Sequence, residues 1–260
     1  CYPIQEKMST SIIELNIDNI SSTPLCCIYR KKSGHRGVDE KKNWLIDRFK
    51  EGHTYRKIEN EETAFIEYAP LEKAWVPIVG DNYIYIYCLY VLGEAKGKGY
   101  GKALMESVTK DAKEKGKSGI VMLGSEKQKA WLSDQNFASL FGFKETETTP
   151  YGYSLFTLSF DGTLPHFTQK AKEGRNNEEG LSIYYSPQCP YSLPRIEKLK
   201  AYVEKNNIHY SFHYIDTLEK AKDVPSAFNN WAVFYNGIFQ TLNQIDEKYV
   251  EKLIKGQNKN

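Results

Sequence analysis

Apolar and polar positions alternate along the chain between short strand-like runs and stretches with helical spacing. The strongest strand prediction covers residues 83–92, where tyrosine and isoleucine, residues typical of strands, predominate. Amphipathic spacing that ends at a glycine predicts helices over residues 39–52 and 102–115. A short apolar run between glycines at residues 119–123 is typical of a buried strand. The mixture of both element types predicts an α/β or α+β protein.

A polar segment separates two halves of this pattern. Residues 169–180 are almost wholly polar, so we predict two domains, residues 1–160 and 181–260, joined by a linker over residues 161–180. In the second half, Asn236 and Gly237 lie between two apolar runs, which predicts a two-residue hairpin turn. The remaining predicted elements are strands over residues 12–20, 63–68, 75–79, 154–160, 181–186, 209–215, 231–235 and 238–241, and helices over residues 131–141, 192–206 and 246–254.

Composition and charge narrow the class of protein. The 260 residues carry 35 basic and 33 acidic side chains, so no overall field favours nucleic acid or an anionic membrane. The longest apolar run has about ten residues, whereas roughly 20 are needed to span a bilayer, and we expect no signal peptide. Five irregularly spaced cysteines without a C-x-x-C pair predict reduced thiols in a cytoplasmic protein. The five histidines are scattered and suggest no metal site.

A loop rich in lysine and glycine lies between the strongest strand and the helix that follows it. Glycine amides at a helix N-terminus form an anion site, and nearby lysines supply countercharge for phosphate groups. A lysine-rich surface turn is the alternative interpretation. The dinucleotide fingerprint and the P-loop pattern both fail, because neither the third glycine nor a Gly-Lys-Ser/Thr ending is present. The loop consists of Lys96, Gly97, Lys98, Gly99, Tyr100, Gly101 and Lys102.

This loop resembles the pyrophosphate loop of GNAT acetyltransferases, (Gln/Arg)-x-x-Gly-x-(Gly/Ala). Gly99 and Gly101 match its last two glycines, and Lys96 replaces the usual Arg or Gln, keeping the charge but losing the planar fork. The resemblance implies a mixed, splayed central sheet, and acetyl-CoA as cofactor with CoA as product. It also implies that Val91 and Leu92 at the strand end bind the cofactor together with the loop.

The similarity extends over nearly the whole chain, to the two-domain bacterial family of YoaP-like acetyltransferases. In the N-terminal half it rests on residues 75–78, 88–91, 132–134 and 140–143. In the C-terminal half it rests on residues 184–186, 189–192 and 234–237. The resemblance implies no particular acceptor: a small-molecule amine and a protein amino group both stay open, as does a homodimer.

The resemblance implies direct attack of an amine on the thioester in a ternary complex, with the oxyanion held by a backbone N–H near residues 90–92. Strict alternation in the strand predicts one face with Leu89 and Val91, and the resemblance implies that this face packs on the helix after the loop. The opposite face would hold Ile84, Ile86, Cys88 and Tyr90 and would place Cys88 and Tyr90 toward the acceptor. A buried filler is the alternative role for Cys88.

The sequence leaves several candidates for the general acid and the general base of the transfer. Ala138 stands where the family usually has its tyrosine acid, so Tyr87, Tyr90 or Tyr100 could substitute, or the thiolate could leave unaided. Glu67 is the first candidate for the base, and a solvated strand-edge glutamate is its alternative. The candidate catalytic residues are therefore Glu67, Cys88 and Tyr90.

The C-terminal half contains Cys189-Pro190-Tyr191-Ser192, which resembles the Cys-Pro-Tyr motif of glutaredoxin-like folds. The resemblance implies a thioredoxin-like domain, with a thiolate at Cys189 favoured by a helix N-terminus. Val224-Pro225-Ser226 resembles the cis-proline segment of those folds. Ser192 replaces a resolving cysteine, so monothiol exchange or a binding role is expected. The alternative function is a thiol-redox or CoA-binding module that uses Cys189 without acetyl transfer.

Overall fold

A large sheet forms the centre of the N-terminal unit in the computed structural model, which describes residues 10–28, 36–129 and 131–257. The strands up to residue 167 are β1 (Ile12–Glu14), β2 (Thr54–Ile58), β3 (Ala64–Pro70), β4 (Ile78–Val79), β5 (Tyr83–Val91), β6 (Gly119–Ser125), β7 (Lys144–Thr148), β8 (Tyr153–Ser159) and β9 (His166–Phe167). The helices of this unit are α1 (Arg36–Phe49), α2 (Tyr100–Glu114) and α3 (Gln135–Ser139), with 3₁₀ turns at Leu71–Lys73 and Gly93–Ala95.

Seven strands pair in the order β1-β2-β3-β5-β6-β8-β7. All neighbours are antiparallel except β5 and β6, which run parallel. The parallel pairing covers Tyr83 to Ile86 of β5 only, while β6 continues to pair with β8 as far as Ser125. The two central strands therefore diverge toward their carboxyl ends, and the predicted mixed, splayed sheet is confirmed.

A β-bulge interrupts the alternation of side chains in β5. Glu67 of β3 pairs with Cys88 and Tyr68 pairs with Ile86, so Tyr87 has no partner in the register. An extra residue of this kind reverses the face on which all following side chains lie. The prediction that Ile84 and Ile86 share a face with Cys88 is wrong for this reason.

The two faces of β5 pack in two different cores. Ile84, Ile86 and Leu89 lie in the apolar cluster formed with α2, and Val91 packs against the same cluster. The predicted position of Leu89 and Val91 beneath the helix is thus confirmed. Cys88 and Tyr90 pack on the opposite side of the sheet, in the cluster that contains Tyr83, Tyr85 and Tyr87.

A second sheet of four strands forms the C-terminal unit. Its strands are β10 (Leu181–Tyr185), β11 (Tyr210–Tyr214), β12 (Trp231–Tyr235) and β13 (Ile238–Thr241), in the order β11-β10-β12-β13. β10 and β11 are parallel, and the other pairs are antiparallel. Asn236 and Gly237 have φ angles of 47° and 76°, which a type I′ hairpin turn requires, so the predicted turn is confirmed. The helices are α4 (Gln169–Glu173), α5 (Ser192–Lys205), α6 (Leu218–Lys222) and α7 (Glu247–Gln257).

The segment predicted as a linker contains ordered elements. β9 pairs with β4, and α4 begins after Thr168, whose Oγ1 accepts a hydrogen bond from the Ala171 N–H. Ala171 is fully buried, which anchors this polar helix to the core. The strand predicted over residues 75–79 is reduced to Ile78–Val79, and the helix predicted over residues 131–141 is reduced to Gln135–Ser139. Three further elements, outside the predicted linker, were not predicted: β2, β7 and α6.

The two units share one apolar core. Phe228 and Phe234 of the C-terminal unit are fully buried in the same cluster as Tyr85 of β5. Polar contacts reinforce this packing: the Tyr85 hydroxyl donates to Asn229 Oδ1 over 2.8 Å, and Asn229 Nδ2 donates to the Tyr87 carbonyl over 3.2 Å. A continuous core of this kind holds the C-terminal unit in a fixed place against the face of β5 that carries Cys88 and Tyr90. Within the described part of the chain, no helix is long and apolar enough to cross a membrane.

Candidate active site

The glycine-rich loop connects the end of β5 to the first turn of α2. Gly97 and Gly99 have φ angles of 78° and 82°, and the space where a Cβ would lie is open at both positions. Gly99 is the residue immediately before the 15-residue helix α2, so the helix presents its free N–H groups at the loop. Gly101 differs, because a Cβ there would lie 3.3 Å from the Phe137 ring. The predicted arrangement of strand, loop and helix is present, with an exposed loop backbone suited to an anion.

Two loop lysines already lie beside carboxylates. Lys98 Nζ is 3.1 Å from Glu61 Oε1, and this hydrogen bond is the main reason that the pKa of Glu61 lies below its ordinary value. Lys102 Nζ is 3.7 Å from Glu106 Oε1, one helical turn further along. Both lysines are about half exposed or more, so these pairs contribute little stability and the lysines can exchange partners with a phosphate.

The gap between β5 and β6 exposes backbone donors. The Leu92 N–H donates to the Thr63 carbonyl over 2.9 Å, toward β3. Since successive strand amides point to opposite sides, the Val91 N–H faces the gap. The Leu89 N–H also points there and donates to Ser133 Oγ over 2.9 Å. Of the amides predicted near the oxyanion, Val91 is therefore the one that the gap presents, and Leu92 is engaged elsewhere.

A buried ion pair lies beneath the face of the sheet that carries Cys88 and Tyr90. Glu67 is fully buried, and its Oε2 is 2.5 Å from Lys41 Nζ, on a lysine that is 1 % exposed. Its Oε1 is 3.0 Å from His53 Nε2. Burial lowers the pKa of His53, so the neutral ring donates to the carboxylate. Burial alone would raise the pKa of Glu67, but Lys41 and His53 outweigh it and hold that pKa below its ordinary value.

A cavity of about 570 Å³ opens above this pair, between the two units. Cys88 and Tyr90 line it, as does Lys41, whereas Glu67 lies one layer behind. The structure thus brings two of the three predicted catalytic residues to one cavity, and the alternative of a solvated strand-edge position for Glu67 is wrong, because its side chain is fully buried. The remaining lining residues are Cys26, Cys27, Phe65, Leu92, Trp131, Gln188, Cys189, Pro190, Tyr191, Asn230, Leu242, Asn243 and Gln244.

Cys88 and Tyr90 face the cavity in protonated form. Burial raises the pKa of the Cys88 thiol, whose Sγ accepts a hydrogen bond from Gln188 Nε2 over 3.7 Å. The Tyr90 hydroxyl donates to the Trp131 carbonyl, and burial raises its pKa as well. Cys88 is therefore a wall of the cavity, and Tyr90 holds the segment after β6 in place.

Cys189 lies on the opposite wall. Its Sγ accepts a hydrogen bond from Gln244 Nε2 over 3.4 Å. Burial raises the pKa of this thiol and outweighs the hydrogen bond from the Tyr191 N–H, so the expected stabilised thiolate is wrong. The expected cis-proline is also wrong, because residues 224–226 belong to the described part of the chain and no described peptide bond is cis.

We predict that Cys189 alkylates more slowly than a free thiol at neutral pH. Its raised pKa leaves less thiolate at pH 7.5, and since the thiolate is the reactive form, the rate should climb only at alkaline pH. The rate of iodoacetamide labelling is measured by peptide mass spectrometry at several pH values between pH 6 and pH 10, with glutathione as the free-thiol reference. Faster labelling of Cys189 than of glutathione at pH 6 would contradict the prediction.

Sequence reasoning missed Lys41 and the C-terminal wall of the cavity. A signal for Lys41 was available, because it lies three and four residues before Trp44 and Leu45, on the apolar face of α1. A lysine on the apolar face of a helix is expected to be buried and to need an acidic partner, which Lys41 has in Glu67. No comparable signal marked Gln188 or Gln244. Among the residues that the structure describes, no group of three His, Cys, Asp or Glu side chains is placed to hold a metal ion.

Comparisons with known proteins agree with this organisation. The Acetyltransferase (GNAT) family matches residues 23–143, and the YoaP-like family matches residues 211–252. The chain is 34% identical over 245 residues to YoaP of Bacillus subtilis (strain 168), an uncharacterized N-acetyltransferase, covering 93% of this chain and 97% of the relative.

Solved structures of acetyltransferases also match the chain. One is the PaiA N-acetyltransferase of Thermoplasma acidophilum in complex with coenzyme A, at 18% identity and a TM-score of 0.39, covering 59% of this chain and 100% of that one. Another is a putative GNAT acetyltransferase of Desulfovibrio desulfuricans, at 13% identity and a TM-score of 0.42, covering 57% and 99%. The family matches and the full-length relative decide the assignment: the chain belongs to the GNAT acetyltransferase family, as an acetyl-CoA-dependent N-acetyltransferase with a YoaP-like C-terminal region.

Proposed function

We propose that acetyl-CoA binds along the loop and the strand gap while the acceptor amine occupies the cavity, and that the amine attacks the thioester directly. One observation carries this proposal: the loop and the cavity meet at the same end of β5. Leu92 lines the cavity, and the loop turn begins at the next residue, Gly93. A donor held by its phosphates at the loop and threaded through the gap would bring its acetyl group to the edge of the cavity.

On the donor side, the exposed amides at Gly97 and Gly99 and the first turn of α2, including Tyr100 and Gly101, would hold the pyrophosphate. Lys96, Lys98 and Lys102 would supply countercharge, with Lys98 leaving Glu61 when the phosphate arrives. The Val91 N–H would donate to the oxyanion that forms during attack, while Leu92 packs beside the pantetheine arm.

On the acceptor side, Cys88 and Tyr90 would contact the substrate because both line the cavity. Tyr90 would serve as the acid only after releasing the Trp131 carbonyl. Glu67 would support the site from behind Lys41 rather than take the amine proton itself, because both of its oxygens are engaged by Lys41 and His53 and it does not line the cavity. Its lowered pKa keeps the carboxylate ionised at neutral pH, the form that neutralises Lys41.

We further propose that residues 1–160 and 181–260 are the two domains and that the second is thioredoxin-like. The order β11-β10-β12-β13, with parallel β10 and β11 joined through α5 and the β12–β13 hairpin followed by α7, supports that assignment. In this protein the raised pKa of Cys189 favours a binding role for the domain over thiol exchange.

An assay of acetyl transfer tests the proposed mechanism. The protein, acetyl-CoA and a panel of primary amines should give N-acetylated amine and free CoA in equal amounts, with no acetyl group on any cysteine before amine is added. Product and intact-protein masses are both read by mass spectrometry. An acetyl group on Cys88 or Cys189 would contradict direct attack, and CoA binding without any acetylated amine would contradict amine acetyl transfer in this site.

A further inference from the structure

We infer that the acceptor is a small monoamine with an apolar, aromatic-sized body, and that the C-terminal unit selects it. The inference rests on the proposed function and goes further, because it names the class of amine and the part of the chain that recognises it. Three features of the cavity carry it: the origin of its walls, the charges that face it, and its size.

Half of the walls come from the C-terminal unit, which supplies eight of the 16 described lining residues. Hydrogen bonds hold this wall in place: Gln188 Oε1 accepts from Asn230 Nδ2 over 2.9 Å, and Gln244 Nε2 donates to both Cys189 Sγ and Ser192 Oγ over 3.4 Å and 3.3 Å. Since the shared core fixes the position of the unit, the wall is preformed. A preformed wall distinguishes substrates by shape as well as by charge.

The charges in the cavity favour a single, neutral amine. None of the described lining residues is an aspartate or a glutamate. Lys41 is the lining residue that carries a full charge, and the Glu67 carboxylate neutralises it at 2.5 Å. The second ammonium of a polyamine would therefore be buried beside Lys41 without a counter-charge, which is costly. A monoamine has to lose its proton before it attacks, so it enters the cavity region uncharged and avoids the cost of burying a second ammonium.

The size and surface of the cavity fit a compact organic molecule. A volume of about 570 Å³ lies within the range of small-molecule sites, roughly 300–1,000 Å³. Phe65, Trp131 and Leu242 offer apolar surface, while the Gln244 amide oxygen offers an acceptor for one polar group of the substrate. Because the C-terminal unit supplies half of the lining, a peptide acceptor would have to fit its backbone against that wall as well.

The test compares three acceptors at saturating acetyl-CoA: 2-phenylethylamine, spermidine and a lysine-containing peptide. We expect kcat/KM for 2-phenylethylamine to exceed that for spermidine and for the peptide by about 100-fold. Gln244→Phe, which narrows the C-terminal wall, should raise the KM for 2-phenylethylamine by about tenfold with little change in kcat. Gln240→Phe is the matched control, because Gln240 lies outside the lining and its side chain contacts the Ile238 carbonyl.

Calorimetry separates failure of this inference from failure of the proposed function. Acetyl-CoA is titrated into the intact protein and both variants, and 2-phenylethylamine is titrated into each CoA complex. Equal acetyl-CoA affinity in all three, with amine binding weakened by Gln244→Phe alone, is the expected result. Preference for spermidine or the peptide, or an unchanged amine affinity in Gln244→Phe, would overturn the inference. Absence of acetyl-CoA binding to the intact protein would instead overturn the proposed function, and this inference with it.

Discussion

Replacing Lys41 by methionine is expected to lower the free energy of unfolding by about 3–5 kcal/mol, because the Glu67 carboxylate is left buried without a counter-charge. Glu67 is fully buried and Lys41 is 1 % exposed, so water does not replace the missing partner. In the intact protein His53 donates a hydrogen bond but no charge to the carboxylate, since burial lowers the pKa of its ring. Urea unfolding followed by circular dichroism measures the loss.

Variants of Glu67 test whether the loss of stability comes from breaking its ion pair with Lys41. Glu67→Gln should also destabilise the fold, because it leaves the Lys41 ammonium buried against a neutral amide. The double variant Lys41→Met/Glu67→Gln should recover most of the loss, by about 2 kcal/mol or more, since neither charge is then buried. Additive losses in the double variant would contradict a coupled buried pair.

An exposed pair provides the matched control. Lys110 and Glu114 of α2 form an i,i+4 contact at 3.7 Å with side chains that are 75 % and 64 % exposed. The same substitutions there, Lys110→Met and Glu114→Gln, should each change the free energy of unfolding by less than about 0.5 kcal/mol. Burial is then the difference between the two pairs, because the residue types and the substitutions are the same.

Features that depend on neighbouring residues were predictable from the sequence. The strand, loop and helix around residues 93–102 follow from a β-rich run, alternating glycines and an amphipathic stretch that are contiguous in the chain. The Asn236–Gly237 turn follows from the two residues that most readily adopt a positive φ. In both places the local preference and the final structure agree.

The bulge at Tyr87 could not be predicted in the same way. It exists because Glu67 and Tyr68 of β3 pair with residues of β5 that are not adjacent, and strand pairing is a non-local property. Strict alternation therefore placed Cys88 and Tyr90 correctly on the face opposite Leu89 and Val91, but it placed Ile84 and Ile86 with them wrongly. The sequence of β5 has no glycine that would mark the irregularity.

The cavity could not be predicted from local sequence patterns either, because residues far apart in the chain form it. The pair of Lys41 and Glu67 joins residues 26 positions apart, and Gln188 contacts Cys88 across 100 positions. Polar composition suggested a separating linker over residues 161–180, whereas β9 and α4 in that segment pack with the rest of the chain. The surface shared by the two units could therefore be seen only in the structure.

Replacing Gly97 and Gly99 together by alanine is expected to weaken acetyl-CoA binding by about 100-fold, since each left-handed position costs an alanine about 1–2 kcal/mol. Both glycines have a positive φ and nothing lies within 4 Å of the added Cβ, so the effect comes from the loop backbone rather than from a clash. Isothermal titration calorimetry with acetyl-CoA measures the change.

The matched control is Gly116→Ala with Gly162→Ala, two positions that also have a positive φ and open space around the Cβ but lie outside the loop. Calorimetric titration of acetyl-CoA into the intact protein, the loop variant and this control is the most direct test of the account. Binding to the intact protein and the control with equal affinity, and its near loss in the loop variant, is the predicted result. Equal affinity in all three proteins, or no binding to the intact protein, would contradict the assignment of the donor site to this loop.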